Sequence, residues 1–496
     1  MSSCLYERRL GYIPQLVERP ELRNYPPTPV GRGEPSLIVS SLVARSEQRA
    51  EHGPLLVSSS SDIHGSVLND TIVQRNCTLH VRGNVLGSLT IEPGANVVVE
   101  GSVDGKIINK GGRLLVHNKG LAACVTLDGP PEAEACGVLK INLSNIASNF
   151  ETLKKRTEAE CAAVVKANAY GCGIGPVAAA LAKSGCKTFF VSDLSEAKSA
   201  RAVAPNGIIY VLNGFYVGTG PAFADVNARP VINNSIELAE WDFFVGSSGW
   251  AGGCALNVDT GESSLGLSIE EAAAFAPRVH SSNHGISLLM GRLEYPETSR
   301  HPLNERQLGQ FRDLRRLYDG VPASLANSFG ILFGAKAHFD LVRAGGALYG
   351  LNPAPGTANP MLPVIELRAR IVQVRDLAAG KPIADNIGLK AKRRMRVVLV
   401  ATGYADGYPA AGNGSHTKLH AVVGGHRCPI AGPPSMDLLP IDVTDLPDKS
   451  AARPGEMATL IGAEIGVDDL AAAVKTTGRE ILTRLGHRFH RIYHTS

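Results

Sequence analysis

Apolar and polar positions follow different rules in successive parts of this chain. Residues 1–50 mix Pro, Arg and Ser without a period and predict an irregular segment. Over 51–120 short β-branched runs recur between Gly/Asn corners. Ile63-His64-Gly65-Ser66-Val67 returns as Val81-Arg82-Gly83-Asn84-Val85 and again as Val99-Glu100-Gly101-Ser102-Val103, each time 18 residues on. Leu79, Val97 and Leu115 keep the same step. Turns of equal length let alternate apolar residues stack as rungs, so the repeat predicts a small parallel β-helix-like domain rather than a meander. Its expected use is assembly or packing, since it carries no evident chemistry.

Past Pro130 and Pro131 the texture changes near Val138. The runs "AAVVKAN", "KTFFVSD", "GIIYVLNG", "ARPVINN", "CALNVD", "GISLLMG", "ASLANS" and "GGALYG" read as strands. Between them lie helical stretches such as "GPVAAALAKSG" and "NERQLGQFRDLRRLY". Eight such units over 138–355 predict an α/β fold, a (β/α)8 TIM barrel. Over 356–496 the helices thin out, and "PVIELRARIVQVRDL", "MRVVLVATG", "LHAVVGG" and "MATLIG" predict a C-terminal mainly-β domain. It closes on a helical "DDLAAAVKTTGREILTRLG".

Composition narrows the function classes. A net charge of +4 on 496 residues, with no basic block beyond "KAKRRMR" at 390–396, does not describe a nucleic-acid groove. No apolar run reaches the roughly 18–20 residues of a membrane span, and "MSSCLYERRLGYIPQL" lacks a signal-peptide core. Nine scattered cysteines without a C-x-x-C suit reduced thiols in a cytoplasmic protein better than a disulfide framework or a zinc site.

One polar residue interrupts an apolar strand where chemistry is expected. Lys166 in "AAVVKANAYGCG" falls at the C-terminal end of the first barrel strand, the face on which barrel active sites form. Desolvation there disfavours the ammonium, lowers its pKa and makes the amine a nucleophile toward an aldehyde. The bland alternative is a lysine snorkelling at a strand end.

"AVVKANAYG" resembles the cofactor-lysine motif of alanine racemases, and the resemblance continues in order through 138–495. It takes in "INLSNIASNF", "LANSFGIL", "FDLVRAGGALYG", "GYADGYP", "SMDLLPIDVTDLP" and "GREILTRLGHRFHRIY". It implies a pyridoxal 5'-phosphate enzyme, a barrel plus C-terminal β domain, acting on a small amino acid as a homodimer with sites shared between subunits. Lys166 would carry the cofactor. Tyr170, Ser328 and the backbone amides of Gly345 and Gly346 would hold its phosphate. Arg343 would face the pyridine nitrogen, while Tyr404 and Met436 would line the substrate carboxylate.

The same resemblance exposes losses. The tyrosine that serves the second face of the substrate in the family falls on Asp385, and no tyrosine lies between Leu351 and Tyr404. An arginine expected in "DTGESSLG" is replaced around Ser264. A histidine expected in "SLLMGRL" falls on Arg292, and a phosphate-binding tyrosine falls on Arg479. The resemblance implies catalysis by Lys166; at the departures, Asp385 is expected as the second base, with a solvated loop acid as the alternative, Arg479 on the phosphate and Arg292 supplying the lost positive charge to the substrate. The leading expectation is an amino-acid racemase or epimerase with an altered second proton carrier and a substrate other than alanine. A one-base lyase or aldolase-type enzyme, and a non-catalytic cofactor-binding scaffold, stay open beside it.

Overall fold

The computed structural model describes residues 43–44, 54–99, 102–103, 107–110, 113–116, 125–126, 134–281, 285–294, 298, 301–383, 388–410 and 418–495. The repeat folds as a three-sided parallel solenoid. Three parallel sheets of short strands run along it, and pairing links Ile63 to Val81 to Val99 and Val67 to Val85 to Val103. A third face, which the repeat alone did not reveal, pairs Val57 with Val73 and Val73 with Ile91. Every one of these residues is buried, and each fully buried aliphatic side chain contributes about 1.5–3 kcal/mol. One expected rung is shifted: Val97 pairs with Leu114 rather than Leu115, because the last turn is a residue shorter.

The repeated glycine has a steric cause. A Cβ on Gly83 would stand 2.0 Å from the carbonyl oxygen of Gly65 in the turn below. Its amide also donates to Ile63 O at 2.7 Å. Backbone meets backbone at this corner, so a side chain there must pry two turns apart.

Eight parallel strands then form the barrel, in chain order Glu160–Val164, Thr188–Val191, Ile208–Val211, Arg229–Ile232, Cys254–Asn257, Ile286–Met290, Ala323–Ser324 and Leu341–Ala344. Each pairs with the next, the eighth returns to the first, and a bridge from Asn327 to Arg343 links the seventh to the eighth. Ala162, Phe190, Tyr210, Val231, Ala255 and Leu288 fill the interior, so the barrel is packed rather than a pore. The polar residues that start its helices are cap formers: Asp193, Asn234 and Ser268 each accept an amide three residues on.

Two boundaries differ from the expectation. The strand Gly137–Asn142 pairs with Ile365–Leu377 and Phe489–His494, so it belongs to the C-terminal sheet and not to the barrel. The eighth barrel strand is "LVRA"; "GGALYG" follows it, with a 3-10 turn over Gly346–Tyr349. The C-terminal sheet is built around the 13-residue strand Ile365–Leu377, which pairs antiparallel with Met395–Val400 and Met457–Ile461. The closing segment is two short helices, Val467–Val474 and Gly478–Arg484, parted by Lys475 in a left-handed conformation. Among the described residues no helix is long and apolar enough to cross a membrane.

Gly83→Val is expected to destabilise the solenoid by about 1–3 kcal/mol, the usual cost of overpacking. Faster amide hydrogen exchange within 54–99, with barrel peptides unchanged, is the measurement that checks it.

Candidate active site

The chain leaves the first barrel strand at Val164 and does something rare. Ala167, Asn168, Ala169 and Tyr170 all have φ of 52–54°, a left-handed turn ended by Gly171 at φ 79°. Each non-glycine residue there costs roughly 1–2 kcal/mol, so neighbours must enforce it. Glu196 does so with both oxygens, accepting from Asn168 N and Ser192 N at 2.8 Å each. The Asn168 side chain in turn accepts from Ile174 N at 2.8 Å. Tyr170 stacks on Tyr349 with centroids 4.5 Å apart, and Tyr349 donates its hydroxyl to Val164 O at 3.0 Å. Neither Glu196 nor Tyr349 was singled out from sequence. The one signal for Glu196 is its place in the first turn of a helix capped by Asp193.

Lys166 opens this turn and faces a cavity of about 520 Å³ at the barrel mouth. Its side chain is open to the cavity yet ringed by protein. Desolvation lowers its pKa, and the cations Arg292 and Arg479 lower it further against the pull of Glu196. A free neutral amine is therefore available at a lower pH than for an ordinary lysine.

Ser328 and Arg343 meet at the same cavity. Ser328 is buried, and its Oγ accepts from Gly345 N at 2.8 Å and Ala347 N at 3.4 Å. That leaves the hydroxyl proton as the donor it can offer an anion. The expectation for Gly345 is corrected here, since its amide is already given to Ser328. Gly346 N, at the first position of its turn, has no acceptor within that turn and remains available. A Cβ on Gly345 would lie 2.9 Å from the Tyr170 hydroxyl, so glycine is what allows the phenol so close to this backbone. Arg343 is buried; one Nη donates to Ser324 O and Oγ at 2.9 and 2.7 Å, and the other to the carbonyls of Gly291 and Leu325. Burial, then the charge of Arg292, pushes its pKa down to about 10, so it stays a cation at neutral pH.

Arg479 arrives from the far end of the sequence. Its helix docks on the left-handed turn so tightly that a Cβ on Gly171 would stand 2.4 Å from Leu482 O. Its guanidinium lies 5.8 Å from the Phe329 ring centroid, beside Gly346. Arg292 also lines the cavity, and its Nε is 3.1 Å from Glu262 Oε1.

Other expected site residues do not reach this cavity. Tyr404 and Met436 are exposed and neighbour each other, the amides of Tyr404 and Ala405 donating to Ser435 O and Met436 O. Asp406 of "GYADGYP" is structural: it is buried, accepts from Gly403 N and pairs with Arg488 Nε at 2.6 Å. Asp385 lies outside the described residues.

With this geometry in place, the comparisons are decisive. Residues 141–353 match the description "Alanine racemase, N-terminal domain" and 364–493 match "Alanine racemase, C-terminal domain". A relative from Methylobacterium sp. (strain 4-46), named alanine racemase, is 45% identical over 356 residues, covering 72% of this chain and 97% of its own. The chain belongs to the alanine racemase family. The alanine racemase of Rhizobium meliloti is 38% identical over 377 residues, 74% of this chain and 99% of its own. Among solved structures, alanine racemase from Bartonella henselae with covalently bound pyridoxal phosphate superposes with a TM-score of 0.68 at 33% identity, covering 73% of this chain and all of that one. The biosynthetic alanine racemase of Pseudomonas aeruginosa follows at 0.66 and 31%, covering 73% and 99%.

The cofactor of alanine racemases is pyridoxal phosphate, and the residues present fit it. A desolvated lysine stands at one end of the cavity. A serine hydroxyl, a free amide at Gly346 and the Arg479 cation form an anion cradle, and the buried Arg343 cation faces in from the eighth strand.

Arg292→Gln removes a charge that holds the Lys166 pKa down. Covalent attachment of pyridoxal phosphate to Lys166, followed by absorbance across a pH series, is expected to shift its midpoint to higher pH.

Proposed function

We propose that this protein is a pyridoxal-phosphate-dependent amino-acid racemase in which a carboxylate, rather than a tyrosine, serves the face opposite Lys166. The observation that carries the reading is the convergence of Lys166, Tyr170, Ser328 and Arg343 on one barrel mouth. The bound cofactor supplies an aldehyde for the amine and a ring that withdraws electrons from the substrate Cα. Lys166 would anchor that aldehyde, and its amine, once free, would move a proton at the substrate Cα. Ser328, Gly346 and Arg479 hold the phosphate, with Tyr170 beside them. Arg343 does not give up its proton at neutral pH, so it would leave a pyridine nitrogen placed against it without a proton. That limits electron withdrawal to what simple α-proton exchange needs.

Tyr404 and Met436 would complete the site only from a second subunit, because in their own chain they are exposed and do not line the Lys166 cavity. We therefore read the active form as a homodimer with shared sites. The seven described cysteines are free, which suits a reducing cytoplasm. Alanine, the substrate named for the relatives, heads the panel to be tested. The expectation of a different amino acid rests on Ser264 and Arg292 alone. No observation favours the lyase or scaffold readings.

Purified protein given pyridoxal phosphate and each enantiomer of an amino-acid panel, scored by chiral chromatography, is expected to interconvert at least one pair. Lys166→Ala should lower that rate roughly 10³-fold or more, and borohydride should leave a pyridoxyl group on the peptide bearing Lys166. Ser328→Ala is expected to weaken cofactor binding roughly tenfold to 100-fold, as loss of one hydrogen bond to an anion does, read by absorbance titration.

A further inference from the structure

We propose that Glu262 is the second proton carrier, an inference that rests on the racemase reading above. The barrel topology supplies the first reason. Lys166 follows the first strand and Glu262 follows the fifth, and these strands are four apart in either direction around an eight-stranded ring. A substrate held between them presents one face to each. Both side chains line the same cavity.

The second reason is that Glu262 is held where it is. Its loop wraps the Asp259 carboxylate, whose Oδ1 accepts from Gly261 N, Glu262 N and Ser263 N at 2.8, 2.8 and 3.2 Å. Thr260 Oγ1 donates to Arg292 O at 2.8 Å, and Gln307 donates to that same hydroxyl at 3.1 Å. The loop is thus tied to the end of the sixth strand, which carries Arg292. Preorganisation of this kind is what a proton-transfer group requires.

Elimination supplies the third reason. Among the described residues, three carboxylates line the cavity, at Asp259, Glu262 and Glu480. Asp259 has one oxygen committed to three amides of its own loop. Glu480 is committed to the Thr476 hydroxyl and to Arg484. Glu262 has a side chain only 14% exposed, and its Oε1 meets Arg292 as an ion pair with no aligned hydrogen bond. Burial pushes its carboxyl up and Arg292 pulls it back; Asp259 and Glu294 add to the rise and Arg343 opposes it. The group is thereby brought nearer to neutrality than an exposed glutamate, so it can both take and return a proton.

In the step itself the substrate Cα–H bond breaks on the Glu262 face. The proton passes to a carboxylate oxygen and the electron pair stays with the substrate carbon. Lys166 then delivers a proton to Cα on the other face, and the opposite direction reverses both transfers. Each cycle leaves one extra proton on Glu262 and one fewer on Lys166, a balance restored by exchange with solvent.

The test is solvent-deuterium exchange at Cα, measured by mass spectrometry from each enantiomer of the amino-acid panel with cofactor-loaded protein. The unmodified enzyme should exchange both enantiomers. Glu262→Gln should exchange one enantiomer at a rate within threefold and the other at least 100-fold more slowly. Its affinity for pyridoxal phosphate, titrated by absorbance, should stay within threefold, which a general collapse of the cavity would not allow. With Arg292 left uncompensated, cofactor attachment to Lys166 should also move to lower pH. Two-sided exchange in Glu262→Gln overturns the assignment, as does a one-sided loss produced by Asp385→Asn and not by Glu262→Gln. Absence of exchange in the unmodified protein overturns the racemase reading, and this one with it.

Discussion

Four consecutive residues in a left-handed turn are the constraint on which the site depends. The turn converts the end of a barrel strand into a shelf, with the Lys166 amine at its front and the Tyr170 ring at its back. Its own conformation is unfavourable by several kcal/mol at roughly 1–2 kcal/mol per residue, so it exists only because other elements hold it. Glu196 accepts its Asn168 amide from the next helix, Tyr349 backs its aromatic ring, and the Gly478–Arg484 helix presses on Gly171. A strained element over-determined by its surroundings is characteristic of sites where one side chain must not wander.

Charge is the second organising term. Four cations, Lys166, Arg292, Arg343 and Arg479, face one cavity. Mutual repulsion together with burial lowers the pKa of Lys166 and of Arg343. The arrangement is stable because Arg343 is solvated by strand carbonyls, Arg479 lies on an aromatic face, and Arg292 is paired with Glu262. The ion pair joins Arg292, where the resemblance leads one to expect a histidine, to a largely covered carboxylate on the loop after the fifth strand.

The two ends of the chain beyond the barrel serve different purposes. The C-terminal sheet takes in Gly137–Asn142 from ahead of the barrel and Phe489–His494 from the end of the chain, so barrel and β domain are stitched by main-chain pairing. That stitching sets the position of Arg479. The solenoid relies on backbone stacking at Gly83 and a column of buried aliphatic residues that Cys77 joins.

Periodicity determined much of the architecture by itself. An 18-residue repeat has few ways to bury its alternate side chains other than a solenoid, and alternating strand and helix textures have few solutions other than a barrel. Lys166, Tyr170, Ser328 and Arg343 were legible for a different reason, because each sits within a few residues of a motif whose order along the chain is itself informative. Tertiary structure decided what local pattern does not encode. The lead-in strand 137–142 joined the C-terminal sheet because strand partners are chosen by long-range pairing. Gly345 gave its amide to Ser328 because the two meet only when the seventh and eighth strands close. Glu196 and Glu262 look in sequence like ordinary surface acids. They acquire roles only where the fold desolvates them beside a strained backbone or an arginine of the cavity, since the energy of a charge depends on what surrounds it in space and not on its neighbours along the chain.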